Sequence, residues 1–226
     1  MAQHDPDPDD AERDEVIAVA LELIALTGYS ASTTSELAAA AGLPEAQLID
    51  LFGSREALFA EVIRRRDELD AGQFVGELGP TVADFGRTIG RLVRQNSRVP
   101  GLVQLFSSVI AEATPADHPS HGFVVDRYRQ ADTMVTDALE RIVGDGYADR
   151  DMPSPMIAVL LTSLIDGLQT QWLYDRRLDM GAHIELFCRL VDNSYRVTPN
   201  AGPRANPDDA PEAPSETGRT AEVSES

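Results

Sequence analysis

Residues 28–58 read GYSASTTSELAAAAGLPEAQLIDLFGSREAL, and the order of caps, apolar positions and breakers in this run sets the fold. Thr33 to Glu36 is a Thr-x-x-Glu capping box, in which a hydroxyl and a carboxylate satisfy the free amides of a helix start. Leu37, Ala38 and Ala41 recur at helical spacing, and Gly42, free to take positive φ, ends that helix. Pro44 opens the next one, because its missing N–H would be unpaired at a first helical position anyway. Leu48, Leu51 and Phe52 give this second helix a buried side.

Ser54 is an N-cap for a longer helix from Arg55 to about Ala71, with Leu58, Phe59, Val62 and Ile63 apolar. Upstream, Val16, Ala20, Leu23, Ile24 and Thr27 form one face of a helix ending at Gly28. Two short helices crossing at a glycine turn, braced by a helix on either side, form a helix-turn-helix.

The pattern resembles the TetR family of one-component transcriptional repressors. It runs without a gap from Gly28-Tyr29 through Ala38-x-x-Ala41-Gly42 and Leu48 to Phe52, Arg55 and Leu58. Far downstream, Asp166-Gly167-Leu168, Gln171-Trp172-Leu173 and Asp175 look like the DGLxxQWLxD segment of the penultimate helix in many such repressors. The two matches together cover most of residues 12 to 196. They imply an all-α chain with an N-terminal helix-turn-helix domain and a C-terminal helical domain for ligand binding and dimerisation, about nine helices in all.

The departures fall where the family touches DNA. A run such as Ser-Lys-Gly-Thr-Leu-Tyr-x-His-Phe is usual there; this chain has Pro44, Glu45, Ala46, Gln47, Leu48, Ile49, Asp50, Leu51 and Phe52. From Ser30 to Glu56 the acids Glu36, Glu45, Asp50 and Glu56 face one base, Arg55. DNA affinity rests on cations displacing counterions from phosphate, and readout needs donors at base edges. Ser32, Thr33 and Ser35 are candidate hydroxyl donors to phosphate, Gln47 a partner for adenine, and Arg55 stands where the family places its phosphate-binding lysine. Glu45 can accept from cytosine N4, or simply favour the helix dipole by about 0.3–1 kcal/mol. Thr33 has capping as its alternative role, and Arg55 a solvated helix start.

The chain has 226 residues, 38 of them acidic against 19 basic. All the basic residues are arginine, so any cationic phosphate contact is arginine-based. Residues 1–68 carry 15 acids against 5 bases, which makes the expected reading domain the most acidic part. The expected organisation is a disordered acidic arm over 1–11, the helix-turn-helix domain over 12–68, a ligand-binding and dimerisation domain over 69–197, and a disordered tail over 198–226. No opening segment has the build of a signal peptide and no unbroken apolar run approaches 18 residues, so a cytoplasmic protein without a membrane partner is expected.

Beyond residue 71, Pro and Gly punctuation divides the chain into helices near 81–98, 101–113, 122–143, 155–174 and 181–196. The stretch from Met156 to Trp172 is apolar on more than one side, which calls for cover from another chain. Leu161, Leu164, Leu168 and Trp172, with Phe187, Leu190 and Val191 of the last helix, are the expected four-helix interface of a homodimer. Two copies would then present recognition helices to successive major grooves of a palindromic operator, roughly 34–36 Å apart or a multiple of that. As the resemblance implies, a small apolar or amphipathic effector enclosed by the larger domain would release the operator. Phe85, Gln104, Phe106, Phe123, Tyr128, Met134 and Thr162 are candidate lining residues.

Other features carry less. His118 and His121 flank Pro-Ser beside Asp117 with no further ligand cluster, so no metal and no cofactor is expected. Cys188 reads as a small buried hydrophobe, with redox sensing the alternative. Arg64, Arg65 and Arg66 read as a solvated face. No nucleophile–base pairing, P-loop or dinucleotide turn supports an enzyme. The leading function is a dimeric, ligand-responsive repressor; the alternative is a degenerate relative that binds effectors or docks proteins with weak or no DNA binding.

Overall fold

The capping box forms: the Glu36 amide donates to Thr33 Oγ1 (3.2 Å) and the Thr33 amide to Glu36 Oε2 (2.9 Å). Gly42 takes the left-handed conformation at φ 73°, and the Leu43 amide closes back on the Ala38 carbonyl (2.9 Å), ending the helix. In this computed structural model, which describes residues 8–74, 79–143 and 152–197, local signals of this kind produce nine α-helices and no strand among the described residues. They are α1 (Pro8–Thr27), α2 (Thr34–Ala41), α3 (Glu45–Phe52), α4 (Arg55–Phe74), α5 (Val82–Asn96), α6 (Pro100–Glu112), α7 (His121–Val143), α8 (Ser154–Tyr174) and α9 (Met180–Val197). A single 3-10 turn, Tyr29–Ala31, joins α1 to α2.

Two boundaries differ from expectation. Helix α1 begins at Pro8, so Pro8 to Ala11 are helical and not a loose arm; residues 1–7 and the expected tail over 198–226 lie outside the described residues. Helix α4 runs unbroken through the expected domain boundary at 68 and ends at Phe74.

The core has two parts. Val16, Ala20 and Ile24 of α1 pack with Leu37 of α2, Leu48 and Phe52 of α3, and Leu58, Phe59 and Val62 of α4; Leu102, Leu105, Phe106 and Val109 of α6 complete this cluster. The second cluster joins Phe85, Ile89 and Val93 of α5, Leu139 of α7, Leu161, Leu168 and Trp172 of α8, and Ile184, Cys188 and Val191 of α9, with Val103 again from α6. Helix α6 thus belongs to both. Its docking needs Gly101, where an added Cβ would sit 2.0 Å from the Ile24 carbonyl oxygen.

Helices α5 and α9 cross closely because small residues line their seam. A Cβ on Gly86 would lie 2.3 Å from Cys188 Cβ, and one on Gly181 would lie 2.6 Å from the Gly90 carbonyl. Arg94 closes one end by pairing with Asp179 (3.0 Å) and Glu185 (2.6 Å). Burial here pushes the Cys188 thiol up to about 12, so no thiolate is available for redox chemistry at neutral pH.

Helix α8 has two apolar ridges. Leu161, Leu168 and Trp172 are buried in their own protomer, as is Val191 of α9, so these four cannot form the expected interface; Leu164 and Phe187 are half-buried, and Leu190 is exposed. A different ridge faces outward: Met156, Val159, Leu160 and Tyr174, continued by Leu186 and Leu190 on α9. Averaged over 18 residues α8 is apolar enough by length and composition to cross a membrane. Its inner ridge is nonetheless covered by protein, and Ser163, Gly167 and Thr170 interrupt the outer one.

Gly101→Ala should force α6 off the end of α1 and lower stability by about 1–3 kcal/mol in chemical denaturation. Gly122→Ala, where a Cβ meets nothing within 4 Å, should leave it unchanged or slightly raised.

Candidate functional site

The outward surface of α2 and α3 is built by the turn at Gly42. Leu37, Ala38, Leu48 and Phe52 point inward, which leaves Ser35, Glu36, Ala39, Pro44, Glu45, Ala46, Ile49 and Asp50 exposed. Pro44 caps α3 from outside the helix, and no side chain covers the amides of its first turn. A helix start with open amides attracts phosphate, whereas Glu45 and Asp50 on the same face repel it.

The six sequence-derived contact residues separate into two groups. Ser35 and Glu45 are exposed, and Thr33 is exposed but committed to its cap, its hydroxyl donating to Glu36 Oε2 (2.8 Å). Ser32 is fully buried and its hydroxyl donates to the Gly28 carbonyl (2.8 Å), so it does not reach phosphate. Arg55 turns inward too. Its Nε donates to the Ser32 carbonyl (3.0 Å), and its guanidinium lies 4.5 Å from the Phe59 ring and 5.1 Å from the Tyr29 ring. Gln47 is half-buried, with Nε2 donating to Glu12 Oε1 (2.7 Å).

The first turns of α1 therefore hold the recognition helix. Alongside the Glu12–Gln47 bond, Arg13 donates to the Leu51 carbonyl and stacks 4.7 Å from the Phe52 ring. Arg65 pairs with Asp14 (2.8 Å), Arg64 with Glu61, and Arg66 with Asp70 (3.2 Å). Every arginine described in α1 to α4 has an internal partner. Sequence reasoning missed this clamp because Glu12 and Gln47 are 35 positions apart and no local pattern joins them.

A second constellation lies where α4 meets the body. Arg127 of α7 pairs with Asp67 of α4 through two bonds (2.6 and 3.1 Å) and sits 4.0 Å from the Phe106 ring. Its neighbour Tyr128 donates to Asp166 of α8 (2.6 Å). Burial is the main cause holding the Asp166 carboxyl above the usual carboxylate range, and the Tyr128 phenol is raised chiefly by burial as well. A small cavity of about 60 Å³ adjoins Arg127 and Asp67, walled by Val62 and Ile63 of α4, Asn96 of α5, Leu102, Val103 and Phe106 of α6, and Gln169 of α8.

Of the seven expected lining residues, only Phe106 meets this cavity. Phe85 is in the second core cluster, Gln104 lies against Gly28, and Phe123 is half-buried beneath Arg64. Tyr128 is bound to Asp166, Thr162 donates to Asp132 (3.2 Å), and Met134 is exposed. The imidazoles of His118, before α7, and His121, its first residue, are occupied locally: His118 accepts from the Ser120 amide and His121 pairs with the Ala113 carbonyl.

Residues 16–62, which run from within α1 through the first two turns of α4, match the family model described as bacterial regulatory proteins, tetR family. This segment belongs to the tetR family. Solved structures extend the likeness beyond the tetR-family segment to the whole fold. A TetR transcriptional regulator from Rhodococcus sp. RHA1 is 21% identical, with 82% of this chain and 97% of that one covered at a TM-score of 0.60. The fatty acid degradation regulator FadR of Bacillus halodurans is 15% identical, with 84% and 97% covered at 0.64. A transcriptional regulator from Saccharomonospora viridis, solved in complex with choline, is 24% identical, with 80% and 94% covered at 0.58. At these identities the likeness shows the fold alone, which is that of tetR-family transcriptional regulators. No curated protein matches the chain.

Because Arg55 joins the 3-10 turn to α4, Arg55→Ala should lower stability by about 1–3 kcal/mol, read by urea denaturation without DNA. Asp166, with a raised folded pKa, binds its proton more tightly folded than unfolded. Its contribution is therefore fully present below the unfolded pKa and is lost as pH rises through the folded one. Asp166→Asn should remove that part of the pH dependence and raise stability at neutral pH, which thermal melts from pH 4 to 8 would reveal.

Proposed function

We propose that the protein is a homodimeric transcriptional repressor that reads a palindromic operator through α2 and α3 and is released by a small effector bound in its helical body. The observation that carries this reading is the shared helix α6. It contributes side chains to both core clusters, that of the reading domain and that of the body, so a change of packing near the Arg127–Asp67 pair is felt at α4 and hence at α3. Effector binding releases DNA only through different affinities for the two arrangements, and α4 and α6 are the elements whose positions would differ.

The dimer is supported by the outward ridge of α8 and α9, where six large apolar or aromatic side chains are exposed along two neighbouring helices. So many large exposed apolar side chains on two adjoining helices exceed the singly scattered ones of an ordinary monomer surface. Gly167 lies on the same face with open space above it, which lets two backbones approach closely. Leu160→Glu with Leu186→Glu should convert the dimer to monomers in sedimentation velocity, while Leu161→Glu should unfold the protomer instead.

DNA reading rests on exposed Ser35, Ala46, Ile49 and Glu45, on the open amides of α3, and on Gln47 when Glu12 lets go. With its arginines already paired, the domain displaces few counterions. Affinity for its own upstream DNA should therefore fall far less between 50 and 200 mM salt than the roughly 10³–10⁵-fold loss of proteins making about six to ten phosphate contacts. Glu12→Ala should tighten binding and sharpen preference for adenine at one position; an affinity that does not move in a mobility-shift titration would show that Gln47 has no part in readout.

The same paired arginines favour a second reading, an effector-binding or protein-docking module that has kept the fold without reading DNA. Absence of site-specific binding at 50 mM salt by a protein shown to be dimeric would decide for it.

A further inference from the structure

Among the described residues, two buried side-chain polar atoms have no hydrogen-bond partner, Asn96 Oδ1 and Gln169 Oε1. Both residues line the same cavity of about 60 Å³. They reach it from different helices, α5 and α8, that are 73 positions apart in sequence. Buried polar groups are nearly always paired, because leaving one unmade forfeits its hydration for nothing. Two orphans converging on one void indicate a missing partner inside it.

The chemistry of that partner follows from the walls. Both orphans are carbonyl oxygens and can only accept. Asn96 cannot be reversed without loss, since its Nδ2 donates to Asp70 Oδ2 (2.9 Å). The cations on the wall are already taken: Arg66 is held by Asp70 (3.2 Å) and Arg127 by Asp67 (2.6 Å). An entering carboxylate would thus place an acceptor against the fixed Asn96 oxygen and find no free guanidinium. Leu102, Val103 and Phe106 supply an apolar side for a short alkyl group. The volume is that of a few water molecules, enough for a head group and a short alkyl stub.

We propose that this cavity takes a small head group bearing at least two N–H donors, a primary ammonium or an uncharged primary amide, and rejects carboxylates of the same size. The proposal rests on the effector reading above and narrows the apolar or amphipathic effector expected from sequence to one with a donor-bearing head. A donor bridging Asn96 and Gln169 would tie α5 to α8 beside the Arg127–Asp67 pair, the point where the body grips α4.

The test uses the 226-residue protein without DNA and three probes of matched size, propylammonium, propionamide and propionate, followed by ligand-observed NMR and thermal melting. Propylammonium or propionamide should bind at least about tenfold more tightly than propionate, the discrimination expected of one satisfied bond. Which of the two binds better distinguishes a cationic from a neutral effector. Gln169→Met, close in shape and without the acceptor, should abolish the melting shift with either donor while raising the melting temperature of the unliganded protein. Gln169→Glu keeps an acceptor and should retain propylammonium.

Preference for propionate, equal binding of all three, or no binding by any, with water alone in the cavity, would overturn the proposal. So would donor binding that survives Gln169→Met. Operator binding measured without probes is independent of all these outcomes. Its loss alongside intact donor binding would remove the repressor reading and leave the site standing.

Discussion

The end of α1 and the start of α6 lie in direct backbone contact at Gly101, and the coupling of the two halves of the molecule depends on that approach. With no side chain at this position α6 can enter the gap beside Ile24 and send Leu102 and Leu105 into one cluster and Val103 into the other. A bulkier residue would hold the helix away and leave a cleft. The reading domain would then be joined to the body by little more than the length of α4 and a few polar bonds, among them Tyr29 to Glu112 (2.7 Å) and Ser120 to the Glu56 carbonyl (2.9 Å).

What the chain disclosed on reading was the part of the structure written in short-range chemistry. Thr33 and Glu36 are three residues apart, Gly42 stops a helix by its own φ, and Ser54 caps α4 through the Ala57 amide (3.0 Å); each is decided within one helical turn. The roles of Ser32, Arg55 and Gln47 were not legible. Their partners are Gly28, the Ser32 and Tyr29 carbonyls, and Glu12, and only the assembled domain brings most of these together. A polar residue on a reading helix looks the same in sequence whether it faces solvent or a carboxylate of its own chain.

The same limit applied to α8. Its apolar residues are evident, but a helix that is apolar on two sides does not say which side faces inward. Leu161, Leu168 and Trp172 lie in the cluster covered by α7 and α9, while Met156, Val159 and Leu160 meet solvent, because α7 and α9 cover one ridge only. The cavity was hidden for a related reason. Its walls come from five helices; Asn96 belongs to no motif, and Gln169 is a variable position inside the DGLxxQWLxD segment.

The glycine seam between α5 and α9 has a mechanical consequence. Where the backbones meet at Gly90 and Gly181, and Gly86 lies against the Cβ of Cys188, sliding meets atoms that cannot rotate aside as the far ends of side chains do. That half of the body behaves as a fixed abutment. Motion is directed to the opposite side, where the Arg127–Asp67 ion pair and the Asn96–Asp70 hydrogen bond hold α4 to α7 and α5, so the stiffest joint in the protein determines which one yields.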